Sequence, residues 1–153
     1  MSKTTGTKPQ ATTKKDLHGT RRMERALLGV AHLQEGVARR AGRLTAPGVE
    51  KMIKRSRVGL PVWSSALHMS TASLERKLEG KTPFGALEAD RLLTVEQVLK
   101  RGMEVFEDAG DLQAWLERKH QLLENKRPMD LLGSTFGIGL VLMELGRIEH
   151  GVF

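Results

Sequence analysis

From Gly133 to Met143 the chain carries no charged side chain. The stretch is far shorter than the roughly 20 apolar residues needed to span a bilayer, so it is a buried helix or a docking surface. Leu140, Val141, Leu142, Met143 and Leu145 fall around the whole circumference of such a helix. One face should then bury in its own domain and another against a second chain. Gly137 and Gly139 each cost about 1 kcal/mol relative to Ala inside a helix, which close approach of another helix would offset. Gly133 to Gly139 is not a phosphate loop, because Leu, Val, Leu and Met follow the glycines where a Walker-type loop has Lys and Ser or Thr. The sequence closes on Arg147, Ile148, Glu149, His150, Gly151, Val152 and Phe153. We expect this end to enter a partner's cleft, with Arg147, Glu149, His150, Gly151, Val152 and Phe153 as the contact residues.

The remainder of the 153 residues points to an all-α protein. Hydrophobic residues are 39% of the chain but aromatics only 4%, with no Tyr, so the core must be aliphatic. The apolar positions lie in segments of ten or more with helical spacing and little strand-like alternation. The length suits one domain or two small ones sharing a core. The absence of Cys excludes a disulfide framework and a thiolate metal site. No long apolar run opens the chain, so a secretory signal of the usual kind is not expected, and the cytoplasm is the expected location.

The formal charge of +7 is unevenly spread. Residues 1–22 carry +5 and residues 23–60 another +5, whereas residues 61–110 carry −2 and residues 111–153 carry −1. All the positive excess lies in the first sixty residues, which suggests an electrostatic partner for that part, nucleic acid foremost. A basic solubilising tail is the plainer alternative.

Three units are expected along the chain. Residues 1–22, rich in Thr, Lys, Gly and Ser, cannot offset the entropy of ordering and should form a disordered basic tail. Residues 23–109 should form a helical domain, and residues 110–153 a small helical C-terminal domain. A first helix is expected from Met23, with Leu27, Val30, Ala31, Gln34, Val37, Ala38 and Ala41 on its apolar face, stopped by Thr45, Ala46, Pro47 and Gly48. A short basic helix, 49–57, should follow. A long helix is expected over 86–107, with Leu87, Leu92, Val95, Val98, Leu99, Met103 and Phe106 on its apolar face and a break at Ala109 and Gly110. Asp111 is placed to cap a helix running to about His120, Pro128 to start a short turn of helix, and Ser134 or Thr135 to open the last one.

Between Pro61 and Gly80 the pattern is two short helices joined by a tight turn. Pro61 suits the first turn of one helix, Ser70 caps the other, and Trp63, Leu67, Met69, Leu74 and Leu78 supply a shared seam. Read as a helix-turn-helix, the second helix would present Ser70, Thr71, Ser73, Arg76 and Lys77, with Ala72, to the major groove. An inherited scaffold without DNA contact is the competing reading.

Chemistry-bearing constellations are absent. None of His18, His32, His68, His120 and His150 has a partner at metal-ligand spacing, so no metal or other cofactor is expected. Glu88 with Asp90, and Glu104 with Glu107 and Asp108, sit among Arg91, Lys100 and Arg101 as solvated helical faces. No Gly-x-Ser-x-Gly elbow or other nucleophile signature is present. The chain does not read as an enzyme.

Ala114, Trp115, Leu116, Pro128, Leu131, Leu132, Gly137, Val141, Leu145, Arg147, Ile148, Glu149 and Gly151 occur in an order and spacing that resemble the C-terminal domain of the Xre/MbcA/ParS antitoxins. The resemblance extends more weakly back through residues 88–93 to about Leu60. The segment around Leu67, Leu74 and Leu78 resembles Xre-type helix-turn-helices, with His68 where Gly is usual in the turn, Ser64 where Ala is usual and Lys77 where an apolar residue is common. The resemblance implies an antitoxin of a type II toxin-antitoxin pair, whose partner is a RES-domain toxin of ADP-ribosyltransferase-like fold that depletes NAD. It also implies a C-terminal domain that occludes the toxin's active site and a helix-turn-helix that binds operator DNA of its own operon as a homodimer. The alternative is a stand-alone helix-turn-helix regulator whose C-terminal domain serves only dimerisation.

Overall fold

The structure, a computed structural model, describes residues 21–30 and 44–151. Its elements are α1 (residues 21–30), α2 (Ala46–Ser56), α3 (Leu60–Ala66), α4 (Thr71–Leu78), α5 (Ala86–Phe106), α6 (Ala109–Glu117), a 3₁₀ turn (Gln121–Leu123), α7 (Pro128–Leu131) and α8 (Thr135–Glu149). The described residues are helical and contain no strand beyond an isolated bridge between His120 and Lys126, as an all-α reading requires. No described helix is long and apolar enough to cross a membrane.

Residues 21–30 include Arg21 and Arg22, which the sequence pattern assigned to the tail. The buried residues of α1 are Ala26 and Val30; Val30 lies on the expected face, whereas Leu27, also expected there, is 43% exposed. The rest of the expected first helix, 31–43, lies outside the described residues, as do residues 1–20, His18 and His32 among them.

Thr45 to Gly48 open α2, which the sequence pattern began at residue 49. The Thr45 hydroxyl accepts a hydrogen bond from the Gly48 N–H at 3.3 Å, and Pro47 sits in the first turn of α2. Pro lacks only an N–H that the first turn leaves unpaired anyway, so the residues that end a helix can equally begin one. Met52 and Ile53 of α2 reach the core, while Lys54 and Arg55 lie in its last turn, where cations favour the helix dipole.

The centre of the molecule is α5, packed most extensively on α8 and also on α2, α3 and α6. Leu92, Leu93, Thr94 and Val95 are buried in succession, so the helix is covered on more than one face. Leu87 departs from the expected apolar face and is 81% exposed. The helix ends where Glu107 adopts a left-handed φ of 60°. The next cap is then Asp108 and not Asp111: its carboxylate accepts from the N–H groups of Gly110 and Asp111 at 2.8 and 3.0 Å. Ala109 and Gly110, expected to break a helix, lie in the first turn of α6.

One hydrophobic cluster runs from Val30 through α2, α3, α5, α6 and α7 to Leu145. A smaller one joins Ala26 of α1 to Leu123 and Leu140. Leu140, on a second face of α8, thus packs on α1 of the same chain, while Leu142 and Met143 stay half-buried. Gly139 makes this possible, since a Cβ there would overlap the backbone of Ala26. A Cβ at Gly137 would meet the Leu131 carbonyl at the end of α7 in the same way.

Candidate functional site

The residues expected to matter stand at two ends of the fold. The first group is on α3, α4 and the turn between them. Val62, Trp63, Ala66, Leu67 and Leu74 are buried, with Met69 and Leu78 packed against them, which is the expected seam. Ser70 caps α4 by accepting from the Ser73 N–H at 3.1 Å. Its hydroxyl also donates to the Ser73 hydroxyl at 2.9 Å, which accepts from the Arg76 guanidinium at 3.2 Å. Ser70, Ser73 and Arg76 thus form a linked polar edge on α4, with Ser70 and Arg76 exposed and Thr71 and Ser73 half-buried.

Lys77 points elsewhere. Its ammonium donates to the Pro83 carbonyl at 2.8 Å and to the Glu88 carboxylate at 3.0 Å, and lies 5.6 Å from the centre of the Phe84 ring. The same Glu88 carboxylate accepts from the Gly85 N–H at 2.7 Å. The Lys77 side chain is 18% exposed, and its charge is satisfied by the loop before α5.

His68 occupies the turn with φ of 53°, the left-handed region that favours the Gly found there in Xre-type motifs. Its ring lies over Gly133, where a Cβ would strike it, and Nε2 is 3.1 Å from the Gly133 carbonyl. Ser65 of α3 donates to the Met129 carbonyl at 3.4 Å. The turn between α3 and α4 is therefore fastened directly to the start of the C-terminal segment.

The second group is at the end of α8. Ser134 caps this helix through the Gly137 N–H at 3.0 Å, as its sequence position indicated. Near the other end, the Glu149 carboxylate pairs with the Arg101 guanidinium of α5. This bond, with Glu104 adding at 3.2 Å, raises the Arg101 pKa above its ordinary value. Arg147 Nε lies 3.9 Å from the buried Glu144 carboxylate, and His150 Nε2 lies 3.9 Å from Glu149. His150 and Gly151 are exposed, the latter with φ of 64°, while Val152 and Phe153 lie outside the described residues. Arg101 was not singled out from the sequence, since nothing local marks a cation on α5 as the partner of Glu149.

Between the two groups, Trp115 is 95% covered, with its ring centroid 5.5 Å from Phe106 and 5.3 Å from His120. The His120 ring lies 2.9 Å from the Trp115 carbonyl. The indole fastens α6 to the end of α5 and to the hairpin at His120.

This constellation contains no group of three or more His, Asp or Glu able to hold a metal among the described residues. What it offers is a helix end with alternating charges, carried on a bundle that positions it. Residues 101–151 match the family model described as antitoxin Xre/MbcA/ParS C-terminal toxin-binding domain. The chain is thus similar, over that segment, to the toxin-binding domain of these antitoxins. Among curated proteins it is similar to the Prs ADP-ribosylating antitoxin of Sphingobium sp. (strain YBL2), with 26% identity over 119 residues that span 72% of this chain and 75% of that protein.

Proposed function

We propose that this chain neutralises a RES-domain toxin that consumes NAD, by seating the end of α8 in the toxin's active site. The observation that carries the reading is the match of residues 101–151 to a toxin-binding domain whose last described residues, His150 and Gly151, are exposed. The name of the Sphingobium relative couples it to ADP-ribosylation. An ADP-ribosyl group is drawn from NAD, so the relative and the RES reading converge on one class of partner chemistry. Inhibition needs no catalysis by the antitoxin: Arg147, Glu149, His150, Gly151, Val152 and Phe153 act by steric and electrostatic occlusion in the cytoplasm, where NAD is spent.

The same chain, as a homodimer bound to its toxin, represses its own operon through Ser70, Thr71, Ser73 and Arg76, with Lys77 bracing the loop before α5 instead of reaching the groove. The left-handed turn at His68 and the linked polar edge of α4 support this second role, because they match the turn and exposed face a recognition helix needs. Co-expression with the neighbouring toxin gene in a growth assay tests the first role. Deletion of Arg147 to Phe153 should leave a folded chain that no longer protects, since most of the core lies upstream. Full protection by the truncated chain would refute occlusion by this end.

A further inference from the structure

Four arginines converge where α1 meets the end of α8. Arg21, Arg22 and Arg25 come from α1 and Arg147 from α8, around a cleft of about 490 Å³ whose other walls are Leu122, Met143 and Glu144. Arg22 donates to the Leu122 carbonyl at 2.6 Å, so one arm is held in place by the 3₁₀ turn. Yet the Nε atoms of Arg22 and of Arg147 are both buried with no hydrogen-bond partner among the described residues. Glu144 sits 3.9 Å from Arg147 Nε, beyond hydrogen-bond reach, and is the one carboxylate lining the cleft.

Bringing four like charges from two ends of the sequence around one carboxylate costs energy that the fold does not recover, and each buried unpaired N–H adds a desolvation penalty. Arg21 and Arg25 keep their guanidinium groups exposed at the rim of this array, and the planar fork of a guanidinium is shaped to grip a carboxylate with two parallel bonds. Leu122, 43% exposed, and Met143 line the cleft with the arginines, giving the mixture of Arg, Met and aliphatic surface characteristic of protein interfaces.

We propose that this cleft takes acidic side chains of the toxin, so that the toxin-binding surface continues from the C-terminal domain onto α1. The proposal rests on the neutralisation reading above. Its grounds are continuity and charge. Arg147 lies within the toxin-binding match at 101–151, whereas Arg21, Arg22 and Arg25 lie outside it, and the shared cleft makes one surface of the two. Nucleic acid is the less fitting occupant, because α8 separates this end from the turn at His68. At about 1.5 Å per residue its 15 residues span roughly 22 Å.

The test is the doubly substituted Arg21→Glu/Arg25→Glu full-length chain. Both side chains are exposed, so its thermal melt should match the unmodified protein. Binding to the catalytically inactivated toxin, followed by titration calorimetry at low and high salt, should weaken by roughly 30-fold or more at low salt. The salt dependence should flatten as well. Lys51→Glu/Lys81→Glu changes net charge equally on a different part of the surface and should shift toxin affinity little. If the double variant does not fold, Arg25→Gln alone replaces it, with a smaller loss expected. Unchanged toxin affinity overturns the proposal, as does a loss confined to binding of duplex DNA, or a lowered melt with full toxin affinity, which would assign the cleft to an internal carboxylate. Deleting His150 to Phe153, which leaves Arg147 in the cleft, separates the two readings. Retained toxin binding in that deletion would sink the neutralisation mechanism itself, whereas its loss beside an unaffected Arg21→Glu/Arg25→Glu chain would sink only the extension onto α1.

Discussion

Trp115→Ala probes the core that carries both ends of the molecule. The side chain is 95% covered and touches Phe106 and His120 at ring distances of 5.5 and 5.3 Å. Removing an indole from such a site costs about 3 to 5 kcal/mol in lost burial and residual cavity. That is comparable with the whole stability of a small domain, about 5 to 15 kcal/mol. For a chain of this length each kcal/mol lowers the melting temperature by about 2 to 4 °C, so a fall of roughly 6 to 20 °C is expected. The protein has two Trp residues, so the variant leaves Trp63 of α3 as its sole indole and as a reporter on the far half of the fold. Because Trp63 and Trp115 belong to one hydrophobic cluster, helix content by circular dichroism and Trp63 fluorescence should change together as temperature rises. Toxin binding and DNA binding should fail over the same interval. A melting temperature equal to that of the unmodified protein would show that the indole is not part of the core. Separate transitions for the two probes would refute a single cooperative unit.

His68→Ala should destabilise the chain by about 1 to 2 kcal/mol, from a lost hydrogen bond to the Gly133 carbonyl and a non-glycine residue left unsupported at positive φ. His68→Gly should recover part of that loss. Urea midpoints at constant slope measure both, and an Ala variant as stable as the parent would remove His68 from the junction. Arg76→Ala should weaken operator binding by roughly 1 to 3 kcal/mol if it reads a base, whereas Lys77→Ala should mainly lower the melting temperature by freeing Glu88 and the loop at Pro83. Equal losses of DNA affinity with unchanged melts would contradict the inward placing of Lys77.

Helix identity and several caps were legible in the sequence because they are local. Ser134 and Ser70 each lie three residues before the N–H they accept from, and the glycines of α8 signalled close contact. Thr45 to Gly48 were harder to read, because Pro after a Thr cap is equally a stop and a start, and it is the burial of Val49, Met52 and Ile53 that shows α2 beginning there. Asp108 and Asp111 compete for one cap, and the left-handed Glu107 settles it upstream. The exposure of Leu27 and the pairing of Arg101 with Glu149 had no local signal. Both depend on where α8 and α5 cross residues distant in sequence, which periodicity within one helix cannot specify.

That crossing also limits how the two ends can communicate. α3 is bonded to the C-terminal segment through Ser65 to Met129 and His68 to Gly133, and the hydrophobic cluster is continuous across the same boundary. A packed interior transmits displacement without absorbing it. A toxin seated at Arg147 therefore cannot act on α4 through a slack linker. It must either shift α8 along its length, which would move Gly133 under the His68 ring and strain the turn before Ser70, or act by its bulk and charge on the DNA from outside. The two routes differ at one residue. Replacing His68 with Gly disconnects the ring from Gly133 while keeping the left-handed turn, so an effect of toxin on DNA affinity carried through α8 should fall in that variant. An effect carried by bulk should persist unchanged.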